Sequence, residues 1–86
     1  MSKFIPSAER IVRSRELIQK ARDLPVPAGL GKSDLSYIAQ VKDLLQQARD
    51  LVKFISYQPS ASAEMKEEVK KIFAEADQAN QEILHG

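Results

Sequence analysis

The stretch SYIAQVKDLLQQARDLVKFI, residues 36–55, carries the strongest structural signal in the 86-residue chain. Its apolar residues recur every three or four positions, at Ile38, Val41, Leu45, Ala48, Val52 and Ile55. This spacing places them on one face of an α-helix. Leu44 and Leu51 widen that face, so that it can pack against two neighbouring helices. The pattern predicts a central helix over about residues 34–56, with Ser33 as its N-cap.

A second amphipathic pattern lies in the last third of the chain. Its apolar positions again step by three or four residues, and they are Met65, Val69, Ile72, Ala76, Ala79 and Ile83, with Phe73 and Leu84 beside them. Pro59 disfavours helical geometry at the residue before it, so the segment around it is expected to form a turn. Ser60 or Ser62 then caps the helix that follows. The pattern predicts a third helix over about residues 61–84.

The first third of the chain is less regular. An inward stripe is formed by Ala8, Ile11, Val12, Arg15, Ile18 and Ala21, with Leu17 and Leu24 at its edge. Pro6 fits the first turn of a helix, and Pro25 ends it, because proline lacks a backbone N–H donor and constrains the residue before it. The pattern predicts a first helix of about 18 residues, over about residues 6–23.

Three amphipathic helices joined by one long and one short connection predict an all-α fold, an antiparallel up-down-up three-helix bundle. We expect residues 1–86 to form a single helical domain, which can be a fragment of a larger protein. The first helix is predicted to be shorter than the two beside it, which have about 23 residues each. At a helical rise of about 1.5 Å per residue, about 7 Å of the groove between its neighbours stays uncovered at one end.

Charge is distributed unevenly along the chain, although the net charge is only +1. Residues 1–32 carry seven Lys or Arg and three Asp or Glu, whereas residues 59–86 carry three Lys and six Asp or Glu. In a three-helix bundle, a basic first helix and an acidic third helix can be neighbours and attract each other. Strong nonspecific nucleic-acid binding needs clustered, uncompensated cations instead. Pairing between the two helices is therefore the favoured interpretation.

The connection LPVPAGLGKSDL, residues 24–35, contains a Gly-Lys-Ser sequence that is typical of phosphate-binding loops. Such a loop needs another glycine five positions before Gly31, so that successive backbone N–H groups surround a phosphate. Here that position is Val26, and no apolar strand precedes the connection. We therefore expect no nucleotide at Lys32 and no cofactor elsewhere in the chain.

Residue patterns typical of catalysis and metal binding are weak. His85 is the only histidine and the chain has no cysteine, so neither a zinc site nor a nucleophile and base pair can be assembled from these residue types. The acidic residues of the third helix are expected on a polar face, not in the apolar pocket that general acid chemistry needs. No apolar run reaches the roughly 20 residues of a membrane span. We expect a non-enzyme without a metal or a membrane segment, and the lack of cysteine suits an intracellular location.

Residues 17–51, LIQKARDLPVPAGLGKSDLSYIAQVKDLLQQARDL, resemble a unit of the PLU-1-like helical region of JARID-type JmjC histone lysine demethylases. The match consists of Leu24-Pro25-Val26 after a first helix, Leu44-Leu45 within a second helix, and the later pair Ala48-Arg49. Leu51 departs from the pattern, which has a tryptophan at this place. The resemblance implies a helical scaffold segment between the catalytic and histone-reading modules of a chromatin enzyme, and hence a nuclear location. It carries over no catalytic residue.

Apolar residues outside the three stripes indicate a binding function, and they are Phe4, Ile5, Val26, Leu30, Phe54 and Tyr57. One interpretation is that the long connection folds over the open end of the bundle and these residues complete the core. The other is that some stay exposed and receive an amphipathic helix or peptide from a partner protein. We predict a non-catalytic interaction or scaffold module whose partner packs against Leu17, Val26, Leu30 and Phe54.

Two alternative partners stay open from the sequence. The first is nucleic acid, bound by the basic first helix through Arg10, Arg13, Lys20 and Arg22, although their spacing spreads them around the helix. The second is another copy of this chain. Salt dependence separates nucleic acid from an apolar partner, because phosphate contacts weaken steeply as salt rises.

Overall fold

The computed structural model describes residues 6–85 and contains three α-helices that pack against one another as an all-α bundle. Helix α1 spans Ser7–Asp23, α2 spans Leu35–Val52 and α3 spans Ala63–Leu84. No strand occurs within the described residues. The predicted fold class is confirmed. Phe4 and Ile5, which the sequence offered as surplus apolar residues, lie outside the described part of the chain.

Contacts between side chains and the neighbouring helices establish the up-down-up order. Arg10, near the start of α1, donates to the backbone carbonyl of Leu51, near the end of α2, at 3.2 Å. The first two helices are therefore antiparallel. Ion pairs between α1 and α3 follow the same order along both helices, Arg15 with Glu68 and then Arg22 with Glu82. The first and third helices therefore run in the same direction.

The central helix ends earlier than the sequence predicts. After the last residue of α2, the chain tightens into a short 3-10 turn at Ile55–Tyr57. Gln58 is extended, with φ −82° and ψ 127°, as expected for the residue before Pro59. Ile55 still reaches the core and is buried. The apolar periodicity thus continues beyond the last α-helical turn, which is why it predicts too long a helix.

The predicted open end, which required α1 to be shorter than α2, is not found. α1 has 17 residues and α2 has 18. The two helices are therefore nearly equal in length, and the step that was expected to leave part of a groove uncovered does not arise between them. Leu24, just after α1, packs against the core from the edge, so the beginning of the connection contributes to the core.

The N-cap of α2 is Asp34 and not the predicted Ser33. The carboxylate of Asp34 accepts a hydrogen bond from the backbone N–H of Tyr37 at 3.0 Å. Ser33 instead belongs to a 3-10 turn, Gly31–Ser33, which begins at the positive φ of 59° that Gly31 adopts. Because Ser33 is the last residue of this turn, the N-cap position of α2 falls on the next residue, Asp34. In α3 the serine prediction is confirmed, because Ser62 accepts from the N–H of Met65 at 3.1 Å.

The core lies between the three helices and follows most of the predicted stripes. Its buried apolar residues are Ile11, Ile18, Ala21, Tyr37, Val41, Leu45, Ala48, Val52, Ile55, Val69, Ile72, Ala76 and Ala79. The predicted stripe of α1 is wrong at Ala8 and Val12, which are exposed. Ser14 takes the inward place, and its hydroxyl donates to the carbonyl of Ile11 at 2.9 Å. That hydrogen bond removes the cost of burying a hydroxyl there.

Candidate partner-binding surfaces

The four residues predicted to bind a partner do not form one surface. Val26 and Leu30 lie in the connection between α1 and α2, at one end of the bundle, and both are exposed. Phe54 follows α2 and is exposed at the opposite end, about 27 Å away along a helix of this length. Leu17 lies between these ends, half-buried beside α2. The candidate residues therefore mark three separate surfaces.

The first surface is the loop-end patch, which we define as Val26, Leu30 and Leu35. Their side chains are 51%, 70% and 80% exposed. Leu35 is the first residue of α2, ahead of the buried stripe, and sequence periodicity did not single it out. The patch sits on a constrained backbone, since Leu24 is extended before Pro25 and the short 3-10 turn precedes α2. Large apolar side chains presented on such a frame suit apolar contact with another protein.

The second surface lies at the far end, around the short 3-10 turn after α2. The rings of Phe54 and Tyr57 have centroids 6.5 Å apart and planes tilted by 51°. The ammonium of Lys53 lies 5.2 Å from the centre of the Phe54 ring, within the range of a cation–π contact. The aromatic pair thus has a partner within the chain on one side and is open to solvent on the other.

The third surface is the α1–α2 groove, a shallow depression centred on Leu17 and Leu51. One part of it has a volume of about 310 Å³ and is lined by Arg10, Leu17, Gln47, Asp50 and Leu51. An adjoining part of about 410 Å³ is lined by Arg13, Glu16, Leu17, Lys20 and Leu51. The sequence prediction missed the role of Leu51 here, although its place at the edge of the α2 stripe was a signal. The groove combines two half-buried leucines with charged edges.

Ion pairs join the basic α1 to the acidic α3, as the charge distribution predicted. The guanidinium of Arg15 lies between two carboxylates, at 2.6 Å from Glu68 and 3.3 Å from Glu75. Hydrogen bonds to Glu68 first and Glu75 second raise the pKa of Arg15, and the same contact with Arg15 lowers the pKa of Glu68. Further along, Arg22 pairs with Glu82 at 2.6 Å and lowers the pKa of that carboxyl.

Contacts within the chain compensate several of the α1 cations that were candidates for binding nucleic acid. Arg22 is bound to α3, and Arg10 donates to the α2 backbone. Arg13 pairs with Glu9 one turn earlier, at 3.5 Å, with both side chains about half exposed. Three of the four cations proposed to bind nucleic acid therefore contact groups within the chain. Phosphate binding needs a cluster of uncompensated cations, so these contacts count against a nucleic-acid surface on α1.

Residues 6–85 contain few groups suited to metal binding or catalysis. No set of three His, Asp or Glu residues is close enough there to hold a metal ion. His85 is exposed immediately after α3. None of the described helices combines the length and the apolar character required to cross a bilayer. Comparisons with protein-family models, with curated proteins and with solved structures found no match to this chain.

Proposed function

We propose that this domain is a non-catalytic helical interaction module that binds an amphipathic helix or peptide of a partner protein. The observation that supports this function is the loop-end patch. Most large apolar side chains of the three helices are at least partly buried in the bundle, whereas Val26, Leu30 and Leu35 are exposed at one end. Burying one such side chain in a partner contributes about 1.5 to 3 kcal/mol, enough to make a small contact specific.

The scaffold role is supported by the resemblance to the PLU-1-like unit. In this chain the residues that carry it serve packing and pairing: Leu24 and Leu44 pack at the edge of the core, Leu45 is buried, and Arg49 pairs with Asp77 at 2.7 Å. Such residues preserve the relative placement of two helices and perform no chemistry. We propose a scaffold in a chromatin-associated complex, with a nuclear location, as the setting for this module.

Nucleic-acid binding through α1 is the alternative function. Exposed Lys20 lies on the same helix as the cations already described, and it supports this alternative. The two functions respond differently to salt. A partner held on the loop-end patch should be retained as salt rises, whereas a phosphate-bound ligand should be lost steeply.

Photo-crosslinking from the loop-end patch tests the proposed function. A photoreactive phenylalanine analogue replaces Leu30 in one sample and Tyr57, at the far end, in the control, and each protein is incubated with nuclear extract. We expect protein adducts from position 30 that are absent from position 57. Leu35→Asp should abolish them, while Tyr57→Asp should not. An aspartate at position 35 suits the first turn of α2, so this variant should keep its fold.

A different set of outcomes would contradict the proposal. Adducts that survive Leu35→Asp, or that form equally from both positions, would show that the loop-end patch does not bind the partner. Adducts with nucleic acid that disappear at high salt would favour the alternative function.

A further inference from the structure

We propose that the α1–α2 groove binds a second copy of this chain about a two-fold axis parallel to the helices. This interface goes beyond the proposed function, because it uses a surface on the side of the bundle and not the loop-end patch. It rests on the arrangement of charge along the two edges of the groove.

The α1 edge of the groove is basic. Arg13 and Lys20 line the depression beside Leu17, and they are seven residues apart, which is two helical turns. The α2 edge is acidic at the same spacing. Asp50 lines the depression, and exposed Asp43 lies seven residues before it, where it accepts a hydrogen bond from Gln47 at 2.7 Å.

The two edges also match in height. The hydrogen bond from Arg10 to the carbonyl of Leu51 sets the register of the antiparallel pair. From that contact, Arg13 lies level with Ala48 and Lys20 with Val41. Asp50 and Asp43 are each two residues, about 3 Å, from those levels, an offset that an arginine or lysine side chain spans. Each copy therefore carries two cations on one edge and two carboxylates at corresponding levels on the other.

A two-fold axis parallel to the helices uses this match. It places α1 of one copy over α2 of the other without changing the level of any residue. Arg13 then meets Asp50 of the second copy, and Lys20 meets Asp43 of the second copy. By symmetry, four such pairs surround the leucines at the centre of the groove. An axis perpendicular to the helices would place α1 over α1, with Arg13 against Lys20, which repels.

Existing contacts at these edges are compatible with the interface. Arg13 pairs with Glu9, and Asp50 with Lys53 at 3.1 Å, between side chains that are about half exposed. Exposed pairs of this kind contribute little to stability and can exchange partners. Glu16, between the two α1 cations, comes level with Leu45, next to the neutral Gln46 and Gln47, and so meets no opposing carboxylate there.

The size of the face sets the expected affinity. A helix pair about 25 Å long and about 20 Å wide presents about 500 Å² per copy, and about 1,000 Å² for both. This is at the lower limit for specific interfaces, so the dimer should be weak and concentration-dependent. Because the pairs around its apolar centre are exposed, salt should weaken it further.

Sedimentation velocity on the full chain tests the interface, at protein concentrations from about 10 μM to 1 mM and at low and high salt. We expect a monomer–dimer equilibrium that shifts toward monomer as salt rises. Arg13→Glu with Lys20→Glu, and separately Asp43→Lys with Asp50→Lys, should each weaken self-association at least about tenfold by like-charge repulsion. Lys66→Glu with Lys70→Glu, on the exposed surface of α3, is the matched control and should associate as the wild type does.

Mixing the two groove variants gives the decisive measurement. In one variant all four of these edge positions are acidic and in the other all four are basic, so each should be monomeric alone while the mixture forms a heterodimer. Circular dichroism confirms that each variant keeps its helices. The proposal is overturned if the wild type stays monomeric at every concentration, because the groove then binds a different protein or none. It is also overturned by self-association that the groove variants do not change, or by a mixture that stays monomeric.

Discussion

Two apolar residues that periodicity alone assigns to the core, Leu45 and Val12, differ in how much of the side chain is exposed. Leu45 is 1% exposed at the centre of the core, whereas Val12, which was also assigned inward, is 56% exposed. Leu45→Ala should lower the free energy of unfolding by about 2 to 5 kcal/mol, because it leaves a cavity among three helices. Val12→Ala should change it by less than about 0.5 kcal/mol, as is usual for surface positions. Urea denaturation of both variants measures the difference, and equal losses would contradict the described orientation of α1.

The same comparison indicates what periodicity can detect at the scale of a residue. In α2 the apolar residues form one broad face, and both members of the adjacent pairs Leu44-Leu45 and Leu51-Val52 pack on the core, so the stripe through Leu45 could be read directly. In α1 two adjacent apolar residues, Ile11 and Val12, compete for one inward place. The true stripe also passes through Ser14, which a search for apolar residues skips. Its hydroxyl is satisfied within its own helix, a fact that only the three-dimensional structure supplies.

At the scale of an element, the start of α2 depends on the turn that precedes it. Ser33 and Asp34 are both good N-cap residues, so propensity cannot choose between them. The turn that begins at Gly31 makes the choice, because it leaves the carboxylate of Asp34 facing the N–H of Tyr37. Asp34→Ala should therefore cost about 1 kcal/mol of stability. Ser33→Ala, the matched neighbour, should cost less than about 0.5 kcal/mol, and thermal melts of both variants by circular dichroism provide the check. A larger loss of stability from Ser33→Ala than from Asp34→Ala would show that Ser33 is the N-cap of α2, as the sequence predicted.

Helix ends and loop surfaces also limit what could be predicted of the candidate site. The sequence indicated that Val26, Leu30 and Phe54 are surplus apolar residues, and all three are exposed. The predicted central helix, over about residues 34–56, lies between Leu30 and Phe54, so the predicted topology already placed them at opposite ends and the grouping on one surface did not fit it. The end of α2 itself could not be predicted from the apolar stripe, because Pro59 and the local 3-10 turn set it.

At the scale of the whole molecule, the uneven charge of the sequence becomes an ion-pair network between α1 and α3. Since hydrogen bonding to Arg15 and Arg22 lowers the pKa values of Glu68 and Glu82 in the folded state, the two carboxylates stabilise the fold when ionised. Their contribution is present above the pKa that each has in the unfolded chain. It is lost as the pH falls through the lower pKa of the folded state. The midpoint of thermal unfolding should therefore decrease on acidification from about pH 6 to about pH 3.

Two neighbouring glutamates make this pH dependence testable. Glu68→Gln removes a carboxylate whose pKa is lowered by Arg15, so this variant should lose less stability between about pH 6 and about pH 3 than the wild type does. Glu67→Gln is the control, because Glu67 is exposed and forms no ion pair within residues 6–85, and it should keep the wild-type dependence. Because these side chains lie near the surface, about 1 M salt should screen the pairs and bring the curves of wild type and Glu68→Gln together. If Glu67→Gln flattened the acid dependence as much as Glu68→Gln, the effect would come from the general charge of α3. The specific pairing with Arg15 would then not be what holds the basic and acidic helices side by side.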